Sequence, residues 1–127
     1  MRRVLGRYTE LLYAAMRVVL AFLYLCHGLQ KLFGAFGGHR MPLASLLGVA
    51  GLIETILGAL IVVGLMTSWA AFIASGEMAV AYFMAHAPRA PWPIQNGGEL
   101  AVALCFAFLY IAAHGGGRFS ADSVIRR

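Results

Sequence analysis

Long apolar runs, separated by short stretches rich in glycine, proline or arginine, dominate the pattern of this chain. The runs are close to the roughly twenty residues that a helix needs to cross a bilayer. The pattern therefore predicts an all-α fold, an integral membrane four-helix bundle that forms one domain over residues 1–127. The predicted spans are approximately 11–33, 43–65, 68–86 and 98–114.

Residues that favour helix ends set these boundaries. Pro42 suits the start of the second helix, and Thr67 and Ser68 are predicted to cap the third. Three prolines lie between the third and fourth helices, so residues 86–98 are predicted to form an extended, stiff loop. The glycines at 115–117 are expected to stop the fourth helix.

Composition agrees with a membrane protein, because 61% of the residues are hydrophobic and 12% are charged. Soluble domains have about 45–50% apolar and about 25% charged residues. Cys26 and Cys105 lie in separate apolar runs, which indicates packing rather than a redox or metal motif, and no metal site is predicted. The net charge of +5 comes mostly from the chain ends and offers no nucleic-acid-binding face.

The arginines also predict the orientation. Positive residues accumulate on the cytoplasmic side of a bacterial-type inner membrane, and the two chain ends share a side in a four-span protein. That side carries six arginines and the other carries two, so both termini are predicted to be cytoplasmic. The six are Arg2, Arg3, Arg7, Arg118, Arg126 and Arg127, and the two are Arg40 and Arg89.

Ionisable residues inside the predicted spans are the candidate chemistry, since a charge at the centre of a membrane helix costs about 2.5–3.5 kcal/mol on insertion scales. Every seventh position of the first helix is polar or aromatic, which places these side chains on one stripe that drifts only about 20° per heptad. The stripe, which must face the bundle interior, comprises Glu10, Arg17, Tyr24 and Lys31, with His27 and Gly28 beside it.

Depth in the membrane limits the possible pairs. Lys31 is expected to pair with Glu99, and Arg17 with Glu77 or Glu54, although these pairs could be purely structural. Glu99 has the alternative of a capping box with Asn96. The spans hold more acids than permanent cations, so one carboxylate is predicted to be neutral or paired with His27.

The second helix combines Glu54 with small residues. Gly51 and Gly58 share a face with it, which indicates either close helix packing or a slot for a ligand. Glu54 is the tentative proton donor or acceptor, in a small cavity with these glycines and the Arg17–Lys31 stripe.

Several segments in order resemble the DoxX family of small four-helix membrane proteins. The first is "MRVVLAFLYLCHGLQKLFG", followed by Glu54 in the second helix and "NGGELAVAL" in the fourth. The last is "GGGRFSADS", a glycine-rich tail in which the matching residues are Gly115, Gly117, Arg118, Ser120 and Asp122.

The resemblance implies a redox setting, because DoxX-like proteins include subunits of a thiosulfate:quinone oxidoreductase and partners in redox-stress defence. It suggests a quinone-linked membrane subunit or partner of an oxidoreductase, with a quinone as candidate cofactor. The implied partners are the bilayer, an oxidoreductase and a second copy of the chain. The alternative is a non-catalytic scaffold, and no electron-transfer site of the chain's own is visible, so catalysis by this chain stays open.

Overall fold

The computed structural model describes residues 2–126, and all regular structure in that range is helical, which confirms the predicted all-α class. A 3₁₀ turn at Gly6–Tyr8 leads into the first long helix. The α-helices are α1 (Thr9–Phe33), α2 (Leu46–Val63), α3 (Thr67–Ala81), α4 (Pro93–Asn96), α5 (Glu99–His114) and α6 (Ala121–Ile125).

The four long helices form two pairs, with α1 packed along α2 and α3 along α5, and α2 and α3 join the pairs. Tyr24 and Phe108 meet edge to face at the centre, with ring centroids 5.0 Å apart. Both are fully buried, as are Ile61, Leu104 and Ile111. The core therefore lies on the inner faces of all four helices.

The outside of the bundle is apolar, while several charged groups lie inside it. Phe72 and Phe106 are exposed, yet Arg17 and Glu54 are buried. This distribution suits a protein surrounded by lipid, where polar groups turn inward. Two helical stretches, Gly6–Phe33 and Leu46–Val63, are long and apolar enough to cross a membrane, and Glu99–His114 is apolar but shorter.

Two predicted helix starts are wrong. The second helix begins at Leu46 rather than after Pro42, because the Ser45 hydroxyl accepts the Gly48 amide at 3.1 Å and forms the cap. Thr67 is already inside α3, and the preceding Met66 has a left-handed backbone with φ of 51° and no side-chain cap of its own.

The prediction of an extended loop after α3 is also wrong. The chain continues through a π turn at Tyr82–His86 and a 3₁₀ turn at Ala87–Arg89 before α4. Prolines lie in the first turns of the 3₁₀ segment and of α4. The N–H group that proline lacks has no hydrogen-bond partner within a helix at that position. The buried side-chain amide of Asn96 donates to the Tyr82 hydroxyl and the Ala90 carbonyl, which holds the segment compact.

Candidate functional site

A buried ion pair joins α1 and α2. The Lys31 ammonium lies 2.7 Å from Oε1 and 2.9 Å from Oε2 of Glu54, whose side chain is 1% exposed. The expected pairing of Lys31 with Glu99 is therefore wrong, and Glu54 pairs with Lys31 rather than with His27. That one of the carboxylates is neutral stays a prediction. Lys31 reaches Glu54 because the two helices come close together beside the pair.

Glycines create that close approach. A Cβ at Gly28 would lie 2.5 Å from the Thr55 backbone nitrogen, and one at Gly51 would lie 2.7 Å from the Lys31 Cβ. Farther along α2, a Cβ at Gly58 would lie 2.9 Å from the Leu25 Cβ. All three glycines thus lie in the α1–α2 contact, where small residues allow helix backbones to approach.

The second acid of the bundle interior has a different partner. The Tyr24 hydroxyl donates to Glu77 Oε1 at 2.9 Å, which links α1 to α3. Glu77 neighbours Glu54, and the pair Lys31–Glu54 is the one salt bridge found between residues 2 and 126. Two carboxylates therefore share the neighbourhood of one lysine.

A cavity of about 170 Å³ opens beside this cluster. Its polar lining residues are Tyr24, His27, Lys31, Glu54 and His86, and its apolar lining residues include Met78, Leu100 and Leu104. His86 is held through its Nδ1, 3.2 Å from the Asn96 carbonyl oxygen. A cavity with this mixed lining can hold a small ring against apolar side chains and offer it polar groups for hydrogen bonds.

Glu99 lies outside this cluster. It is the exposed first residue of α5. The predicted capping box is wrong, because the Asn96 carboxamide oxygen instead accepts the Gly98 amide at 2.9 Å.

Among residues 2–126, Arg17 contacts no carboxylate, which corrects its predicted pairing with Glu77 or Glu54. Its guanidinium donates to four backbone carbonyls and so joins the end of α2 to the segment after α5. The acceptors are Ile61, Val62, Gly116 and Phe119. Arginine suits this task because its five N–H groups point in fixed directions, and at 2% exposure it has almost no contact with solvent.

The glycine-rich tail is fixed by the first helix and by its own turns. The Tyr13 hydroxyl donates to the Gly115 carbonyl at 2.6 Å. The Arg118 amide donates to Glu10 Oε2 at 3.2 Å. The Ser120 hydroxyl donates to the Gly117 carbonyl at 2.7 Å and caps α6.

Asp122 then attaches the tail to α3. Its carboxylate accepts the amides of Met66 and Thr67 and the Thr67 hydroxyl, at 2.7–2.9 Å. Burial on its own would raise the pKa of Asp122, but the hydrogen bonds from Thr67 and Met66 outweigh it and hold that pKa below its usual range.

The family match covers most of α1 and the whole of α2 and α3. The profile of the DoxX family matches residues 12–87, more than half of the chain. The chain belongs to the DoxX family. It is also similar to an uncharacterized protein of Haemophilus influenzae, at 37% identity over 126 residues and 94% coverage of both chains. No solved structure was found to match.

DoxX membership establishes a small membrane protein. Within this DoxX chain, the structure brings Lys31, Glu54 and Glu77 together and separates them from Arg17. Sequence reasoning missed Thr67 as a hydrogen-bond donor to Asp122 and Asn96 as an organiser of the loop. In the sequence, Thr67 could have been found as a polar residue at a helix start, and Asn96 as an asparagine before two glycines.

Proposed function

We propose that this DoxX chain is a quinone-linked membrane subunit or partner of an oxidoreductase, with the quinone ring in the cavity beside Lys31 and Glu54. The observation that carries the proposal is this cavity of about 170 Å³, which is lined by both polar and apolar side chains. An apolar cavity of about 150 Å³ is known to admit benzene. A single quinone ring therefore fits the available space.

The polar lining residues of the cavity offer hydrogen-bond donors for carbonyl oxygens. Lys31 has three N–H groups and uses two contacts on Glu54, which leaves one for a ligand. His27 also lines the cavity and could donate a second bond. A quinone takes up two electrons and two protons when it is reduced.

The protons are assigned to the two acids. Glu54 and Glu77 face one lysine, and a proton shared between the carboxylates would remove the uncompensated negative charge. Glu54 lines the cavity, so we assign it the role of proton donor or acceptor. Glu77, with its partner Tyr24, is assigned the role of holding the shared proton in reserve. Since Cys26 and Cys105 are unpaired, the electrons are assigned to a partner protein.

The test measures quinone in the purified protein and partner-dependent quinone reduction in membranes. Leu100→Trp should fill the cavity and lower bound quinone about tenfold. Leu52→Trp is the matched control, because Leu52 is 42% exposed against 43% for Leu100 and does not line this cavity. Wild-type protein without quinone, or equal loss in the two variants, would refute the site.

Glu54→Gln separates binding from proton transfer. Glutamine keeps the shape of the side chain but holds no exchangeable acid proton. Bound quinone should stay near the wild-type amount, while quinone reduction should fall at least about tenfold. Unchanged turnover at normal protein abundance would remove Glu54 from the proposed proton path.

The second candidate function is a non-catalytic membrane scaffold or assembly partner of a redox-defence complex. One observation favours it: within residues 2–126, every buried side-chain nitrogen or oxygen has a hydrogen-bond partner. The polar groups could therefore serve the bundle alone. The double variant Lys31→Met with Glu54→Leu tests this, because a scaffold should keep its partner complex and its stress protection, whereas a quinone site should lose turnover.

A further inference from the structure

Two adjacent hollows lie at the end of the bundle where α3 begins and α5 ends. The first, the basic cavity, has a volume of about 670 Å³ and is lined by residues 66–69, residues 113–118 and Ser120, Asp122, Ser123 and Arg126. The second, the apolar furrow, has about 390 Å³ and is lined by Ser68, Trp69, Phe72, Leu109, Ala112 and Ala113. Ser68, Trp69 and Ala113 line both, so the two hollows are adjacent.

The charges of the basic cavity favour an anion. Within the part of the chain that the structure describes, Arg118 and Arg126 line it against one acid, Asp122. Both oxygens of that acid already accept hydrogen bonds from Met66 and Thr67. Arg126 is close enough to lower the pKa of Asp122, yet two arginines against one carboxylate leave a net positive charge.

The apolar furrow runs from the basic cavity along the lipid-facing surface. Trp69 is 71% exposed at the junction, and Phe72 and Leu109 extend the apolar wall between α3 and α5. Tryptophan at a helix end is typical of the level of the lipid headgroups. The basic cavity therefore lies where lipid phosphates lie, and the furrow lies where their acyl chains lie, whichever way the protein is oriented.

We propose that the two hollows form one binding site for an acidic phospholipid. Its phosphate is bound by Arg118 and Arg126 in the basic cavity, and one acyl chain lies in the apolar furrow. Basic pockets between membrane helices recognise acidic headgroups in this way. The hydroxyls of Ser68 and Ser123 line the cavity and provide further donors to phosphate oxygens.

The experiment counts lipids retained by the full chain in native mass spectrometry after equilibration with vesicles of phosphatidylglycerol and phosphatidylcholine. Wild type should retain phosphatidylglycerol in preference. The double variant Arg118→Gln with Arg126→Gln should retain about tenfold less. Arg2→Gln with Arg3→Gln is the matched control, since it removes the same charge from exposed residues outside the cavity.

Two further arms keep the proposal falsifiable. Ala113→Trp should block the furrow and lower retention, whereas Ala103→Trp, an exposed site on the same helix outside the furrow, should not. Inorganic phosphate at the same concentration should displace little of the lipid, because it lacks the acyl chain that binds in the furrow. Equal loss in the two arginine pairs, no effect of Ala113→Trp, or full displacement by phosphate would each overturn the lipid site. If the double arginine variant does not fold, Arg126→Gln alone gives the same comparison against Arg3→Gln.

Discussion

Thr67 donates two hydrogen bonds to the same carboxylate oxygen of Asp122, one from its amide at 2.9 Å and one from its hydroxyl at 2.7 Å. The Met66 amide uses the other oxygen at 2.8 Å. The first amides of a helix have no partner within it, so a side chain 55 residues away supplies the cap that α3 lacks locally.

The Asp122 cap predicts acid sensitivity. Because the pKa of Asp122 is lowered in the folded protein, its stabilisation is present above the unfolded pKa of about 3.9 and is lost as pH falls through the folded value. Thermal melts in detergent should show constant stability above about pH 5 and a decline below pH 4.

Asp122→Ala should lower the melting temperature at neutral pH and reduce its dependence on acid. Ser123→Ala is the control, because in the described chain the Ser123 hydroxyl makes no hydrogen bond. An unchanged pH profile in Asp122→Ala would contradict the capping role.

Replacing Arg17 by alanine should destabilise the protein by roughly 3 kcal/mol, because buried carbonyls of α2 and the tail would lose a charged donor. Arg17→Lys keeps the charge but cannot reach four acceptors, so it should recover only part of the loss. Denaturation in detergent would measure both. Since neither Glu77 nor Glu54 pairs with Arg17, adding Glu77→Gln or Glu54→Gln should give no rescue, and a full rescue would restore the ion-pair interpretation.

Lys31→Met should leave Glu54 buried without a cation, at a cost of about 3–5 kcal/mol. Adding Glu54→Leu should recover most of this loss, since apolar residues of similar volume can replace a buried pair. Glu99→Gln, at an exposed site, should change stability by less than about 0.5 kcal/mol. A double variant no more stable than Lys31→Met would show that the pair is not the source of the loss.

Gly28→Ala should separate α1 from α2, because the new Cβ would meet backbone atoms of Glu54 and Thr55. The expected cost is about 1–3 kcal/mol, as for other overpacked sites. Gly76→Ala is the control in α3, where nothing lies within 4 Å of the added Cβ. That change should be neutral or stabilising, since alanine favours helix. Similar melting temperatures for the two variants would argue against a tight crossing.

Single cysteines introduced into the chain, after Cys26 and Cys105 are replaced, would test the predicted orientation. A cysteine at Gln95 should react with an impermeant thiol reagent from the outer side, and one at Ser123 only after the cytoplasmic side is opened. The arginine bias predicts this result. Labelling of Gln95 from the cytoplasmic side alone would reverse the topology.

The sequence predicted the helices and the inward stripe because both depend on local periodicity. Tyr24 and Arg17 are indeed buried on one face of α1. Partner choice could not be predicted, because it depends on where separate helices meet. Arg17 was expected to bind an acid, but the carbonyls of Ile61 and Val62 at the end of α2 accept its hydrogen bonds. Lys31 reaches Glu54 because Gly28 and Gly51 bring the backbones of α1 and α2 together. The spacing of residues along the sequence does not reveal the distance between two helices.

The four hydrogen bonds from the Arg17 guanidinium have a consequence for the order in which the protein is assembled. The ribosome delivers α1 first, and the carbonyls of Ile61 and Val62 follow about 44 residues later. Those of Gly116 and Phe119 come about 100 residues later. All four hydrogen bonds of Arg17 can therefore form only after α5 and the residues that follow it have been synthesised. The tail thus completes a contact that α1 and α2 cannot complete alone.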